Sequence, residues 1–368
     1  MKYSRRGMTL IEVMVGTVIA LILTAAAVSF ATQQVRLMDV SQERLEMSSV
    51  GRAALNLVAN DVRKAGMGLG YNERGEFLGL DVGAFTQAGL NWNGVGGTPA
   101  PDGDTPPLDP GVYAANIFVR PGSPPYTVRS TDLRVRYADG TYSTVVTERN
   151  LIGVACLDDD ANGFLDGELT FMSDATGLSG MSGTMGLGST FTGAGCACEE
   201  GCVRFTFTPT ADVTTGASAM NVRYQRGEIR GGLTTVLWHV SPNAAQGELY
   251  RATVADGDVC ANRLECGALV ANNVEALNVQ VWRFDETTDA WVNAGQEPVS
   301  EYQRIRVDLE LVVRSDEPTG GPKPLIESRL RSGTCIPAAC GSAPGDDFAR
   351  EAYRTSVEVM NGGIGSFR

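Results

Sequence analysis

Met8–Ala31 constrains this chain more than any other stretch, because it holds a single charged side chain, Glu12, among apolar and small residues. Wound into a helix at about 1.5 Å per residue it reaches about 36 Å, enough to cross the roughly 30 Å hydrocarbon core of a bilayer. The seven residues before it contain Lys2, Arg5 and Arg6 and no acid. Basic residues ahead of a span hold that end on the cytoplasmic side. A secretory signal would show a small-residue cleavage site after its apolar region. Here the small residue, Gly7, stands before the apolar region, and a carboxylate follows five residues on. A charge inside a span costs at least about 2.5 kcal/mol and marks a functional residue, unless snorkelling near the cytoplasmic end relieves it. The residues alone leave both readings of Glu12 open.

Gly7-Met8-Thr9-Leu10-Ile11-Glu12-Val13-Met14-Val15 resembles the processing motif of type IV prepilins and their relatives. The resemblance implies cleavage between Gly7 and Met8 by a prepilin peptidase and methylation of the new Met8 amine. It also implies an assembly role for Glu12, whose carboxylate pairs with the amine of a neighbouring subunit. The first mature residue is most often phenylalanine, so Met8 departs from the commonest form. The chemistry is coherent: glycine leaves the scissile bond unobstructed, and an amine–carboxylate pair relieves the burial of both charges. The implied partners are other pilins, met through the N-terminal helix, and the peptidase. The implied location is the inner membrane, single-pass with the head in the periplasm, and then a cell-surface pilus or a periplasmic pseudopilus.

Beyond Ala31 the helix is expected to continue. Met47, Val50, Ala54, Leu57, Val58 and Val62 recur at spacings of three and four and predict one apolar face, with Arg52, Asn56, Asn60, Asp61 and Arg63 on the other side. Ala65-Gly66-Met67-Gly68-Leu69-Gly70 should stop it, since glycine takes the left-handed conformation that caps a helix. Period-two alternation then predicts half-buried strands, one face on a core and one in water, at Thr131–Tyr137, Cys202–Phe207, Val274–Trp282 and Arg304–Arg314. Asp139-Gly140 reads as a hairpin turn. Asn91–Pro125, crowded with Gly, Pro and Asp, and Ser173–Gly195, rich in Gly, Ser, Thr and Met, read as loops. The expected fold class is α+β and pilin-like: a long N-terminal helix, membrane-embedded in its first half, packed on an antiparallel β-rich head with large loop insertions. The expected divisions are a leader at 1–7, a transmembrane and assembly helix at 8–31, its continuation at 32–66 and the head at 67–368.

Within the superfamily, Ala53–Gly66, Ser130–Tyr137, Val270–Val281, Arg304–Arg314 and Tyr353–Asn361 resemble corresponding segments of the PilW family of minor pilins. That resemblance implies a structural part in pilus biogenesis, incorporated into or initiating a type IV pilus-like fibre. The J-type minor pseudopilin of type II secretion is the alternative, and a pilin-framed adhesin, or a partner of a tip adhesin, is another.

Asp158, Asp160, Asn162 and Asp166 fall at positions 1, 3, 5 and 9 of a loop with Gly163 at position 6, the spacing that converges oxygen ligands on calcium. Phe164 would add its backbone carbonyl. Position 12 is Leu169, and Glu168 lies one place early. The other reading is a solvated acidic hairpin tip. The eight cysteines are 156, 196, 198, 202, 260, 266, 335 and 340, and a periplasmic or extracellular setting favours bridges over zinc. Cys260 with Cys266 and Cys335 with Cys340 would close short loops. A Cys196–Cys198 bridge would be strained, so Cys156 pairs with one of these two and Cys202 with the other. A metal knot from Cys196, Cys198 and Cys202 is the alternative.

Catalysis finds little support. The chain has one histidine, His239, in a strand-like run, no Gly-x-Ser-x-Gly elbow and no Gly-Lys phosphate loop. A net charge of −13 argues against a nucleic-acid footprint.

Overall fold

The computed structural model describes residues 10–67, 79–83, 116–120, 126–138, 143–145, 152–156, 169–173, 180–194, 196, 201–209, 228–230, 233–241, 247–254, 267–293, 304–316 and 348–359. The chain divides into two compact units, Met1–Ser49 and Val50–Arg368. One helix, α1 (Leu10–Lys64), supplies the described part of the first unit and opens the second.

The strands follow in chain order: β1 (Leu80–Gly83), β2 (Asn116–Arg120), β3 (Tyr126–Ser130), β4 (Asp132–Ala138), β5 (Ser143–Val145) and β6 (Ile152–Cys156). Next come β7 (Leu169–Ser173), β8 (Gly180–Phe191), β9 (Cys202–Pro209), β10 (Glu228–Arg230), β11 (Leu233–Val240) and β12 (Glu248–Val254). The last are β13 (Ala268–Asn272), β14 (Val274–Asp285), β15 (Ala290–Asn293), β16 (Ile305–Arg314) and β17 (Arg350–Val359). They form sheets of order β1-β4-β11-β12-β13, β5-β10-β7-β8-β9-β6 and β15-β14-β16-β17, with β2-β3 as a separate pair. Every pairing is antiparallel. An α+β chain with a long apolar N-terminal helix and antiparallel sheets is therefore what these residues build.

The helix stops where glycine was expected to stop it. Gly66 takes φ 74 and its N–H donates to the Arg136 carbonyl at 2.9 Å. Of the expected face, Met47, Ala54, Val58 and Val62 are buried but Val50 and Leu57 are exposed, while Gly51, Leu55, Ala59, Asp61 and Ala65 join the buried side. Small residues let the helix approach the sheets closely: a Cβ on Gly51 would run into the ring of Tyr353 on β17.

Two of the sheets are stitched at one point. The Thr131 N–H and hydroxyl both donate to the Leu277 carbonyl on β14, at 2.8 and 2.9 Å. The Leu277 N–H donates to Ser130 Oγ at 3.0 Å, and the Val279 N–H to Thr131 Oγ1 at 3.1 Å. These side chains extend the backbone ladder across the β3–β4 corner, pairing the N–H groups of Thr131, Leu277 and Val279.

Several expectations fail for physical reasons. Ser173–Gly195 is not a loop throughout, because Gly180–Phe191 is a strand between β7 and β9. Its glycines mark close approach: a Cβ on Gly188 would stand 2.9 Å from the Arg204 carbonyl oxygen, and one on Gly183 would meet Phe207 and the Thr208 carbonyl. Asn91–Pro125 likewise contains β2, which pairs with β3. The strands flanking Asp139-Gly140, β4 and β5, belong to different sheets, so that dipeptide does not join a hairpin; it lies outside the described residues. The Val270–Val281 segment is two strands, separated at Asn273, which sits at φ 62.

The alternating strands do not all show a wet face. On β9 Arg204 and Thr206 are exposed, as period two predicts. On β4 the polar positions Asp132, Arg134 and Arg136 are buried, and so are Asn278 and Glu310 on β14 and β16. A strand covered on both sides can keep its alternation only if the covered polar groups are satisfied. The fully buried Glu275 carboxylate accepts two hydrogen bonds from Arg350, at 2.8 and 3.2 Å. Glu310 accepts from Arg354 at 2.7 Å and from Asn278 Nδ2 at 3.1 Å.

Candidate functional site

The first unit is an apolar helix with its side chains turned outward. Leu10, Ile11, Met14, Val18, Leu21, Ile22, Leu23 and Phe30 are all exposed. The helix is long and apolar enough to cross a membrane, and none of its most apolar stretch is buried within the chain. Several of its hydroxyls bond back to the helix itself. Thr17 Oγ1 donates to the Met14 carbonyl, Thr24 to Ala20, Thr32 to Ser29 and Ser41 to Leu37, all at 2.7–2.8 Å. Hydrocarbon has no hydrogen bonds to offer, so hydroxyls that bond back to their own helix suit it. Glu12 stands in the first turn, where the positive end of the helix dipole favours a carboxylate. Gly7 and Met8 lie outside the described residues.

In the second unit, Asp61 is the residue that sequence reasoning misplaced. It was assigned to the solvent side of the helix, yet it is buried. Arg251 Nε donates to Asp61 Oδ2 at 2.8 Å and its Nη2 to Oδ1 at 3.2 Å, while Trp238 Nε1 donates to Oδ2 at 3.0 Å. Arg251 and Trp238 are cross-strand partners on β12 and β11, so the sheet presents both donors to one carboxylate. Donating these hydrogen bonds to Asp61 pushes the Arg251 guanidinium pKa above its usual value, against the opposing effect of burial. The one sequence signal was an acid three residues after Val58 and one before Val62, inside the stripe of small and apolar residues that packs on the sheets.

The remaining expected site residues are unevenly placed. His239 is fully buried in β11 and stacks on its cross-strand neighbour Tyr250, with ring centres 5.4 Å apart and planes 9° from parallel. It is a packed side chain of the sheet. Cys196 and Cys202 form a disulfide with Cα atoms 5.6 Å apart, and the backbone of Cys156 on β6 lies directly across from Cys202 on β9. Cys198, Cys260, Cys266, Cys335 and Cys340 lie outside the described residues, as do Asp158, Asp160, Asn162, Phe164, Asp166 and Glu168. The strands that the acidic loop joins, β6 and β7, have β9 and β8 between them, so the loop is not the tip of a hairpin. Among the described residues no three His, Cys, Asp or Glu side chains gather as a metal site.

The profile of the prokaryotic N-terminal methylation motif matches residues 2–28, the leader and most of the apolar stretch. The chain thus carries the type IV pilin signal at its N-terminus. No curated protein matches it. Among solved structures it is similar to a type IV-like pilin from Thermus thermophilus, at 14% identity over 54% of this chain and 86% of that one, with a TM-score of 0.24.

Proposed function

We propose that this protein is a minor pilin of the PilW type, cut after Gly7, methylated on Met8 and incorporated into, or initiating, a type IV pilus-like fibre. The observation that carries the proposal is the methylation motif, matched over residues 2–28 on a helix whose apolar side chains face outward. Such a helix has no use for its exposed apolar area within its own chain, and a bilayer or a bundle of identical helices would cover it. The role is structural, not enzymatic. Before assembly the chain is anchored by 8–31 in the inner membrane with its head in the periplasm, and its partners are the prepilin peptidase and other pilins. Glu12 pairs with the methylated amine of the next subunit. The J-type pseudopilin and the pilin-framed adhesin are the competing assignments.

Mass analysis of the N-terminal peptide from assembled material tests the proposal. Residues 1–7 should be missing and Met8 should carry one methyl group; an intact Met1 form in fibres would sink it. Glu12→Ala should insert into membrane normally, since removing a charge makes the span more apolar, and fail to enter fibres.

Two finer assignments accompany this reading. Calcium in the 158–168 loop is supported by the Asp-x-Asp-x-Asn-Gly spacing, and it should raise the melting temperature through binding to the folded state alone. That shift should vanish in Asp158→Ala/Asp160→Ala. With Cys202 bonded to Cys196, the second bridge of that group would be Cys156–Cys198. Cys260–Cys266 and Cys335–Cys340 would complete the set, and non-reducing peptide mapping distinguishes these bridges from shuffled ones.

A further inference from the structure

Strands β5 to β10 follow one another along the chain and, among the described residues, pair only with each other. The sheet of order β5-β10-β7-β8-β9-β6 is therefore built wholly from residues 143–230. The strands that flank this segment in sequence, β4 and β11, are neighbours in a different sheet. Ala138 at the end of β4 and Leu233 at the start of β11 are cross-strand partners, so the chain leaves that sheet and re-enters it at one place. Chain ends that lie together are where one domain can be inserted into another.

The segment also has an apolar core of its own. Register places Met172 of β7, Met185 of β8, and Phe205 and Phe207 of β9 on one face, and all four are fully buried. Arg204, Thr206 and Thr208, on the other face of β9, are exposed. The two ends of the strand order, β5 and β6, lie against each other, so the sheet curls toward closure with its buried face inward. The Cys196–Cys202 disulfide falls within the segment, and small domains lean on such bonds where the core alone is slight. The segment also exceeds the ~50 residues at which domains begin.

We propose that residues 143–230 are an inserted module that folds and unfolds as a unit by itself, carried by a head that is complete without it. The sheets of order β1-β4-β11-β12-β13 and β15-β14-β16-β17 draw no strand from the module. It rests on them through β7, which packs on β11. The acidic run at 158–168 and Cys156, Cys196, Cys198 and Cys202 all fall inside it. Whatever those residues bind or bond is then a property of the module, separable from α1 and from the other sheets. The inference holds whether or not the protein enters a fibre.

All four tryptophans, Trp92, Trp238, Trp282 and Trp291, lie outside the module. Tryptophan fluorescence therefore follows the rest of the head, and amide exchange read by mass spectrometry follows the module. In the full-length chain in detergent micelles, Phe205→Ala should speed exchange in β7, β8 and β9 by about a hundredfold or more, the effect of emptying a phenylalanine site in a core. The tryptophan-detected melting midpoint and exchange in β14 and β16 should not change. Leu309→Ala, at a fully buried site in β16, should do the reverse. In a third variant Asn-Gly replaces residues 139–232 and closes Ala138 onto Leu233 with a two-residue hairpin turn. It should keep a single cooperative tryptophan-detected transition. A fall of the tryptophan midpoint in Phe205→Ala would overturn the proposal, because one core would then hold both parts. Faster exchange of β7 to β9 in Leu309→Ala, or loss of the transition in the third variant, would do the same.

Discussion

Leu10–Ser49 wears its apolar residues outside, Met47 excepted, and Val50–Val359 hides charged ones inside. In the first region Leu10 is 81% exposed; in the second Glu275 and Glu310 are 0% exposed. The helix satisfies most of its hydroxyls locally and leaves its most apolar stretch unburied within its own chain. The head has spent hydrophobic surface on its own sheets and must then neutralise the charges that those sheets enclose. The difference teaches that burial within one chain is not a measure of what a residue is for. An exposed leucine in the helix and a buried glutamate in the head each follow from the partner that surrounds it.

Mutations that remove one member of an enclosed pair should break the head hardest. Glu275→Ala strands the fully buried Arg350 guanidinium and should cost about 3–5 kcal/mol, read as a fall in the midpoint of thermal unfolding by tryptophan fluorescence. A variant with an unchanged midpoint would show that the pair is not enclosed. Asp61→Ala leaves Trp238 Nε1 and Arg251 without their shared acceptor. Because Arg251 is 32% exposed and water can reach it, the expected loss is smaller, about 2 kcal/mol. Amide exchange should then quicken in Val50–Lys64 more than in β16.

Gly51→Ala is a test of packing without charge. Its added methyl would press on the Tyr353 ring, whose hydroxyl is tied to Glu351 at 2.7 Å, and overpacking of this kind costs about 1–3 kcal/mol. Stabilisation, through the better helix propensity of alanine, would mean that the ring moves freely. The smallest effect belongs to the helix: Glu12→Ala should leave the head's unfolding midpoint unchanged while abolishing fibre entry. Loss of both together would blur the contrast between the two regions.

How much of this was legible depended on whether a residue's partner lies near it in sequence. The apolar run after Gly7, the stop at Gly66 and the strands at β4, β9, β14 and β16 could be read because their signals are local periods and local backbone preferences. Asp61 could not, because Trp238 and Arg251 stand 177 and 190 residues away. Nor could β8, whose glycines look like loop residues until the carbonyls and rings of β9 are brought against them. The wet face expected of β4 was misread for the same reason: alternation records which positions are polar, not what later covers them.

By itself, then, the sequence determined the motif at residues 2–28, the helix that follows, its end and the two-residue period of the head strands. All of these are set by composition and by the spacing of neighbours along the chain. Only the tertiary structure decided which side of α1 is buried, which charges are enclosed and paired, and that Cys196 bonds Cys202. Those outcomes depend on strands far apart in sequence meeting in one register, and a one-residue change of register would turn each of these side chains to the opposite face.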